Sequence, residues 1–265
     1  MSSYFGIFKM QFKGELQYRA KALSGVVTQF FWGLMYIYLY TAFMGADGLH
    51  GFSLTQMVTY VWLGQAFFAM RYVNTPKKVC HQIESGDICY NFVRPLNLYN
   101  QWYFSYIGST LASTLLRFLP IIVVASILPA SMRISLPVGW AAFLLFLIAL
   151  IIGMLINGAI SMFAVYLTFI TQSSKGASTI VNTITGVLGG VYIPLPMFPQ
   201  SIQNVLNYMP FRCISDLPFR IYIGNLDIKS ALIQIAISIG WLVILVLLGK
   251  LLLKTSLKKT VIQGG

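Results

Sequence analysis

Six long stretches of the sequence contain almost no charged side chains. A membrane-spanning helix needs about 20 apolar residues, because the hydrocarbon core of a bilayer is about 30 Å thick. The stretches reach that length and predict spans at residues 22–46, 51–70, 103–128, 140–169, 176–211 and 230–249. Charged residues make up 9% of the chain and its mean hydropathy is +0.76, outside the usual range of water-soluble proteins. The predicted fold class is an all-α, polytopic membrane protein with six transmembrane helices.

Lysine and arginine are distributed unevenly between the two ends of these spans. Positively charged short loops stay in the cytoplasm, so we place the more basic side there. With the N-terminus inside, 13 of the 18 basic residues are cytoplasmic, namely Lys9, Lys13, Arg19, Lys21, Arg71, Lys77, Lys78, Arg94, Lys175, Lys250, Lys254, Lys258 and Lys259. We therefore expect a multi-pass protein of the plasma membrane, bacterial in origin, with both termini cytoplasmic. The basic residues follow the span boundaries instead of clustering on one face, so no nucleic-acid partner is expected.

Residues 1–21 precede the first span and have an amphipathic pattern. Apolar residues recur at helical spacing and lysines flank them; the apolar residues are Phe5, Phe8, Phe12 and Leu16. This pattern favours a helix lying in the inner membrane interface over a simple extension of the first span. We expect the whole chain, residues 1–265, to form one transmembrane domain.

Residue types needed for catalysis or metal binding are scarce. The two histidines, His50 and His81, fall on opposite sides of the membrane in this topology, which excludes most acid–base designs. Gly249 and Lys250 close a span and lack the strand, loop and helix of a phosphate-binding motif. Cys80, His81 and Cys89 lack a fourth ligand at zinc-site spacing. We expect no catalytic residue, metal or cofactor in this chain.

The segment after the fifth apolar stretch is rich in proline. Gly186 and Gly190 have the spacing of a close helix contact, and several prolines then exclude a continuous helix, namely Pro194, Pro196, Pro199, Pro210 and Pro218. Between them, the apolar residues 202–209 are too few to cross a bilayer. The sequence therefore predicts a re-entrant helical hairpin over residues 191–219, just before the last span.

Three motifs carry a family resemblance. They are "IESGDICYNFVRPLN" from Ile83, "GGVYIPLPMFPQSIQNVLNYMPF" from Gly189, and the closing "VIQGG". The chain resembles the permease subunits of type-2 ABC exporters, in the six-span branch that is usually found as paired permeases. The N-terminal amphipathic segment also fits this family, so the resemblance extends over nearly the whole chain.

The resemblance implies partners and a role for residues 74–100. In this family the corresponding cytoplasmic loop forms a coupling helix that docks on an ABC ATPase, so Glu84, Gly86, Asp87, Arg94 and Pro95 become candidate coupling residues. From the residues alone, a solvated loop is an equally good interpretation. The family also implies two ATPase subunits that hold ATP and Mg²⁺, and a second permease, identical or similar. An amphipathic or apolar substrate, such as a drug, peptide or lipid, would be moved outward.

Other candidate residues lie within the spans. Phe31, Trp32 and Tyr36 in the first span, with Gly186 and Gly190 in the fifth, could form the interface between two permeases, or ordinary lipid-facing and packing surface. Arg117 lies inside the third span, where it either packs against protein or lines a pathway. An ATP-independent transporter or channel is the alternative function, although such proteins usually carry more intramembrane charge. A membrane enzyme is disfavoured by the missing catalytic groups.

Overall fold

The computed structural model describes residues 2–44, 52–88, 91 and 96–259, and this part of the chain is helical without any β-strand. The α-helices are α1 (Ser2–Leu16), α2 (Arg19–Met44), α3 (Leu54–Ala66), α4 (Phe68–Arg71), α5 (Lys77–Ser85), α6 (Leu98–Ile127), α7 (Trp140–Thr171), α8 (Ser174–Leu188), α9 (Gln200–Leu206), α10 (Asp216–Tyr222) and α11 (Ile228–Lys259). Two short 3₁₀ helices, Leu195–Met197 and Pro210–Ile214, flank α9. The all-α prediction is confirmed.

Within the described residues, four helices are long and apolar enough to cross a membrane. They are Ala22–Met44 of α2, the whole of α6 and α7, and Ile228–Leu257 of α11. These helices match the first, third, fourth and sixth predicted spans, and α11 continues ten residues past the predicted end at residue 249. The chain is therefore a membrane protein with several apolar helices.

The second and fifth predicted spans are not long continuous helices. Helix α3 has 13 residues and α8 has 15, which at 1.5 Å per residue gives about 20 and 22 Å, less than the hydrocarbon core. Phe67, with φ of −97° and ψ of 22°, separates α3 from α4. The expectation of six membrane-spanning helices is thus not confirmed.

Helix α7 lies at the centre of the bundle. The other helices bury 61% of the most apolar 18-residue segment of α7, against 17% of the corresponding segment of α11. Helix α7 is therefore surrounded by protein, while α11 lies at the edge of the bundle. Small residues allow this close packing. At Gly153, an added Cβ would lie 2.4 Å from the carbonyl oxygen of Cys213, so a larger residue would push the 3₁₀ helix Pro210–Ile214 away from α7.

The contacts define two ends of the bundle. Helices α6 and α7 pack antiparallel, because Ile107 lies against Gly158 while Phe118 and Phe146 both contact the ring of Phe67. The start of α6, the end of α7 and the start of α8 therefore share one end with α5, which we call the α5 end. The opposite end holds the starts of α3 and α7 with the C-terminus of α10, and we call it the α10 end.

Helix α1 packs along the first half of α6. The ring of Tyr4 stacks on Phe104 with centroids 5.9 Å apart, and its hydroxyl accepts a hydrogen bond of 3.0 Å from the backbone of Asn97. Further along, Ser113 donates to Glu15 at 3.1 Å. The predicted N-terminal helix thus exists and ends at Leu16, while its position in the membrane interface stays a prediction.

Proline residues divide the segment between α8 and α11. Pro194 precedes the first 3₁₀ helix and Pro196 is buried within it, Pro199 precedes α9, and Pro210 begins the second 3₁₀ helix. Each position lies at the start of a helical turn, where the missing N–H of proline would have no partner within the helix. The short helical piece expected within the predicted hairpin at residues 202–209 corresponds to α9, which begins two residues earlier, at Gln200, and ends three residues earlier, at Leu206.

Candidate functional site

Helix α5 presents two different faces at the α5 end. Cys80 and Ile83 are buried, whereas the opposite face is exposed and carries Lys77, Lys78, His81 and Glu84. Gly86 ends the helix in the left-handed conformation, with φ of +81°, which favours glycine because it has no Cβ. The predicted coupling segment therefore contains a short amphipathic helix that starts at Lys77 and has a defined end.

The buried face of α5 packs on the last turns of α7. The hydroxyl of Thr168 lies 3.6 Å from Cys80 Sγ, and both side chains are buried. Burial raises the pKa of the Cys80 thiol, which keeps it protonated and unreactive at neutral pH. Cys80 therefore serves as a small packing residue that holds α5 against α7.

Glu84 connects α5 to the start of α8. Its Oε1 accepts a 2.5 Å hydrogen bond from the backbone N–H of Ser174, the first residue of α8. This bond holds the pKa of Glu84 below its ordinary value, because the donor stabilises the ionised carboxylate. A carboxylate at a helix N-terminus is also favoured by the helix dipole. One oxygen of this candidate coupling residue is thus engaged within the chain.

The other candidate coupling residues differ in what surrounds them. Asp87 is exposed, and its Oδ2 accepts a 2.7 Å hydrogen bond from the hydroxyl of Ser85, two residues earlier. This local contact leaves the carboxylate at the protein surface. Arg94 and Pro95 lie outside the described residues.

The connection between α4 and α5 is irregular, and side chains of α7 bind its carbonyl groups. The amide of Asn157 donates to the carbonyl oxygens of Met70 and Tyr72, the latter at 3.2 Å. One turn further along α7, the hydroxyl of Ser161 donates to the carbonyl of Asn74 at 3.2 Å. Asn157 and Ser161 are completely buried. They supply the partners that non-helical backbone needs inside a protein core.

Helix α8 binds the same connection from the other side. The side chain of Asn182 accepts from the Val73 N–H at 3.1 Å and donates to the Val73 carbonyl at 3.0 Å. Ser178, one turn earlier, donates to the hydroxyl of Thr75 at 2.7 Å. We call residues 72–76, held in this way by α7 and α8, the clamped connection. It joins α5 to the interior of the bundle.

Arg71 lies at the inner end of the clamped connection. It is 93% buried, and its Nη2 donates to the carbonyl of Gly190 at 2.9 Å, just past the end of α8. An added Cβ at Gly64 would lie 2.5 Å from Arg71 Nη1, so this glycine makes room for the guanidinium. The charge count assigned Arg71 to the basic end of its span, whereas the structure places its side chain inside the protein. No sequence pattern indicated the partner at Gly190.

A second group of charges is buried near the α10 end and was missed by the sequence reasoning. Asp216 forms ion pairs with Arg212 at 3.2 Å and with Arg220 at 3.1 Å, four residues away on either side. The side chain of Asp216 is 0% exposed, and the arginine side chains are 2% and 9% exposed. We call these three residues the Asp216 cluster. The four-residue spacing of these charged residues was the only feature of the sequence that could have indicated the ion pairs.

Neutral groups from other elements complete the Asp216 cluster. The hydroxyl of Tyr60 in α3 donates to Asp216 at 3.0 Å. Arg220 donates to the side chain of Gln203 in α9 at 3.1 Å, and its guanidinium lies 5.4 Å from the ring centroid of Phe52. Arg212 donates to Asn207 just after α9. The cluster therefore fixes α9 and α10 to the start of α3.

The candidate interface residues differ in how exposed they are. Phe31 and Trp32 on α2 are 66% and 42% exposed, and Tyr36 stacks on Trp32 with centroids 5.7 Å apart. Gly186 and Gly190 are buried by their own chain. An added Cβ at Gly186 would lie 2.3 Å from the ring of Tyr192, and one at Gly190 would lie 2.9 Å from Leu195 Cγ.

Arg117 packs against protein. An added Cβ at Gly25 of α2 would lie 3.0 Å from Arg117 Cζ, so the guanidinium covers this glycine. Its Nε is buried and has no hydrogen-bond partner within the described part of the chain. The side chain is thus shielded by α2, as expected for an arginine within an apolar helix. This placement is compatible with packing and with a position beside a pathway.

No group of three or more potential metal ligands occurs among the residues that the structure describes. The expectation that the chain binds no metal or cofactor stays a prediction.

One comparison with known proteins identifies a family. The family model for ABC-2 family transporter proteins matches residues 30–264, which is most of the chain. The match begins within α2 and includes α5, the clamped connection and the Asp216 cluster. A search of curated proteins finds no match.

Proposed function

Because the chain belongs to the ABC-2 transporter family, we propose that it is the permease subunit of an ATP-driven ABC exporter. It would work with two ABC ATPase subunits and a second permease, identical or similar to itself. The observation that carries this proposal is α5, an amphipathic helix with its apolar side held by α7 and its charged side exposed. Charged residues on a short rigid element suit a protein partner, because the rest of the helical surface is largely apolar.

In this proposal α5 is the coupling helix. Glu84, Gly86, Asp87, Arg94 and Pro95 would form or shape the surface that meets the ATPase. Asp87 is the best-placed acidic contact, because Glu84 already binds the start of α8 through one oxygen. ATP and Mg²⁺ would be held by the ATPase, and hydrolysis would take place there.

The clamped connection offers a route from α5 into the bundle. A push on α5 would reach α7 through Asn157 and Ser161, and α8 through Asn182. Arg71, at the end of the same segment, would pass the displacement to Gly190 at the start of the proline-rich segment. Packed cores respond to such a displacement by switching between discrete arrangements, which suits a transporter that alternates between two states.

We further propose six membrane crossings with both termini in the cytoplasm of a bacterial cell. The short helices α3 and α8 would each complete a crossing together with the irregular segments that follow them. The exposed lysines at the α5 end support a cytoplasmic position for that end; they are Lys77, Lys78, Lys175 and Lys254. The plasma membrane would then be the location.

Residues 191–219 would form a re-entrant hairpin in the outer leaflet. The indole N–H of Trp241 donates to the carbonyl of Tyr208 at 2.7 Å, and Ser238 lies 3.1 Å from Cys213 Sγ. Both α11 residues lie well inside that helix, which supports a hairpin that returns into the membrane instead of resting on its surface. The Asp216 cluster would anchor the outer end of the hairpin.

The transport pathway would lie between two permeases. The exposed aromatic residues of α2, including Phe31 and Trp32, are the proposed interface and lining. A lining of this kind suits an amphipathic or apolar substrate, such as a drug, peptide or lipid, moved outward. Arg117 is proposed as a packing residue.

The test is association with an ATPase. The full chain, co-expressed with an ABC ATPase of the same organism, should co-purify in detergent as a complex that hydrolyses ATP, while the chain alone should hydrolyse none. Asp87→Lys should reduce this co-purification, because a reversed charge at a desolvated contact is strongly unfavourable. Lys229→Glu is the matched control, since Lys229 is also an exposed charged residue but lies at the α10 end.

Three results would contradict the proposal. Hydrolysis of ATP by the purified chain alone would make it an enzyme, and transport in vesicles without any ATPase would favour the ATP-independent alternative. Equal loss of co-purification in the Asp87 and Lys229 variants would show that charge reversal acts through folding instead of docking.

A further inference from the structure

A small pocket of about 20 Å³ lies between α2, α3 and the residues that follow α8. Its polar lining residues are Tyr36, Tyr40, Tyr60, Gln65 and Arg71, and we call it the Arg71 pocket. A cavity of this size holds about one water molecule. Only a small ion, or the end of a longer ligand, would therefore fit inside it.

The Arg71 pocket lies deep in the bundle. Gly64, which the guanidinium of Arg71 covers, is ten residues after Leu54 at the start of α3, or about 15 Å along that helix. This distance is about half the thickness of the hydrocarbon core. A charged side chain at such a depth is unfavourable, and in membrane proteins it marks a ligand or ion site more often than a packing position.

Two donors that line the pocket have no acceptor. Arg71 and Tyr40 are each 7% exposed. Arg71 Nη2 donates to the carbonyl of Gly190, but Nη1 and the Tyr40 hydroxyl have no hydrogen-bond partner within the described part of the chain. Both atoms keep some accessible surface, whereas Arg71 Nε is fully enclosed. A ligand in the pocket would thus reach them and supply the missing acceptor.

The charges buried in the described residues do not balance. Three arginines are buried with a single carboxylate, namely Arg71, Arg212 and Arg220 with Asp216. Asp216 pairs with the other two arginines, so Arg71 has no carboxylate partner. Tyr60 lines the pocket and its hydroxyl donates to Asp216, so the pocket borders the Asp216 cluster. A buried cation without a counter-charge is unfavourable, and an anionic group in the pocket would provide that charge.

The pocket adjoins the exposed aromatic residues of α2. Tyr36 lines the pocket, and its ring stacks on Tyr40 on one side and on Trp32 on the other, with centroids 5.6 Å and 5.7 Å apart. Trp32 is 42% exposed. A ligand with an anionic end beside Arg71 would therefore meet an apolar surface immediately outside the pocket.

We propose that the Arg71 pocket binds the carboxylate group of an amphipathic substrate. Arg71 Nη1 and the Tyr40 hydroxyl would donate to the carboxylate oxygens, and the apolar part of the substrate would lie on the rings of Tyr36 and Trp32. This inference rests on the proposed export function. It narrows the substrate class to amphipathic compounds that carry an acidic group.

The test measures thermal unfolding of the full chain in detergent, with decanoate as the probe. Decanol has the same hydrocarbon chain without the charge, and acetate has the same acidic group without the chain. Decanoate should raise the unfolding midpoint, because a ligand that binds the folded state stabilises it. Decanol and acetate at the same concentration should not raise it.

Single hydroxyl groups separate binding from folding. Tyr40→Phe keeps the aromatic ring and loses a hydroxyl without a partner in the described chain, so it should fold as wild type does. Its apparent Kd for decanoate should rise about tenfold, which corresponds to the loss of one hydrogen bond to a charged group. Arg71→Gln should abolish decanoate binding. Tyr38→Phe is the matched control and should bind as wild type does, since Tyr38 is 60% exposed on the same helix.

Three results would overturn this inference: equal stabilisation by decanoate and decanol, wild-type affinity for decanoate in Tyr40→Phe, or equal stabilisation by acetate and decanoate. The last result would identify a site for small soluble anions. The measurement uses no ATPase, so its failure is distinguishable from failure of the export proposal. Missing decanoate binding with ATPase association retained would remove this inference alone, whereas missing association with decanoate binding retained would contradict the export proposal.

Discussion

Removal of the Asp216 carboxylate should destabilise the protein strongly. One buried carboxylate serves two buried arginines and also accepts a hydrogen bond from Tyr60. Breaking a buried ion pair by removing one partner costs about 3–5 kcal/mol, because the remaining charge stays desolvated. Two arginines depend on Asp216, so we expect Asp216→Ala to fall near the upper value, about 5 kcal/mol. This is a large part of the 5–15 kcal/mol typical of folded proteins.

The assay is unfolding of the full chain in mild detergent, followed by heat or by added denaturant. Asp216→Asn keeps the volume and an acceptor for Tyr60 but loses the charge, so it should lie between wild type and Asp216→Ala. Asp227→Asn is the control, because Asp227 is exposed and should have little effect.

A second variant separates charge from packing. Replacing the whole cluster by apolar residues, with Arg212→Met, Asp216→Leu and Arg220→Met together, leaves no unpaired charge. Such replacements of buried ion pairs are often neutral or stabilising, so the triple variant should recover much of the loss seen in Asp216→Ala. Unchanged stability in Asp216→Ala would refute the argument, because it would show that water already reaches the arginines.

Three further predictions follow from single contacts. Asn157→Leu should destabilise the chain by about 1–3 kcal/mol, measured by unfolding in detergent, because it leaves buried carbonyls without donors. Asn204→Leu, at an exposed asparagine, should not destabilise the chain. Equal losses of stability in the two variants would contradict the stabilising role of Asn157 at the clamped connection. Glu84→Ala should lower the protection of the Ser174 amide against hydrogen exchange, whereas Asp87→Ala should not. Lowering the pH through the depressed pKa of Glu84 should lower the same protection factor, taken relative to the intrinsic exchange rate at each pH, because only the ionised carboxylate is a strong acceptor. Arg117→Leu should retain assembly with the ATPase and transport, because the guanidinium packs over Gly25 of α2; assembly without transport would place Arg117 in the pathway.

The sequence predicted the features that depend on local pattern. Runs of apolar residues predicted four long helices, three of them within five residues of their observed ends, while α11 continues ten residues further than predicted; the prolines after Gly190 correctly excluded a continuous helix. Gly86 ends α5 in the left-handed conformation that glycine favours. These features arise from neighbouring residues, so the sequence carries them directly.

Features that depend on distant contacts were not predictable. The break at Phe67 has no proline or glycine to mark it, and the irregular backbone that follows α4 is stabilised by Asn157 and Ser161, more than 80 residues away. The burial of Arg71 likewise depends on Gly190. The Asp216 cluster has a helical spacing, but the same spacing is common on exposed helices, where it gives ordinary surface ion pairs.

Site-specific photo-crosslinking can show whether the exposed face of α5 meets an ATPase. A photoreactive amino acid at His81, on that face, should capture the co-expressed ATPase, and capture should fall when Asp87→Lys is added. The same amino acid at Trp140, which is 83% exposed at the α10 end, should capture none. Capture from position 140 but not from position 81 would contradict the account, because it would place the ATPase at the opposite end of the bundle.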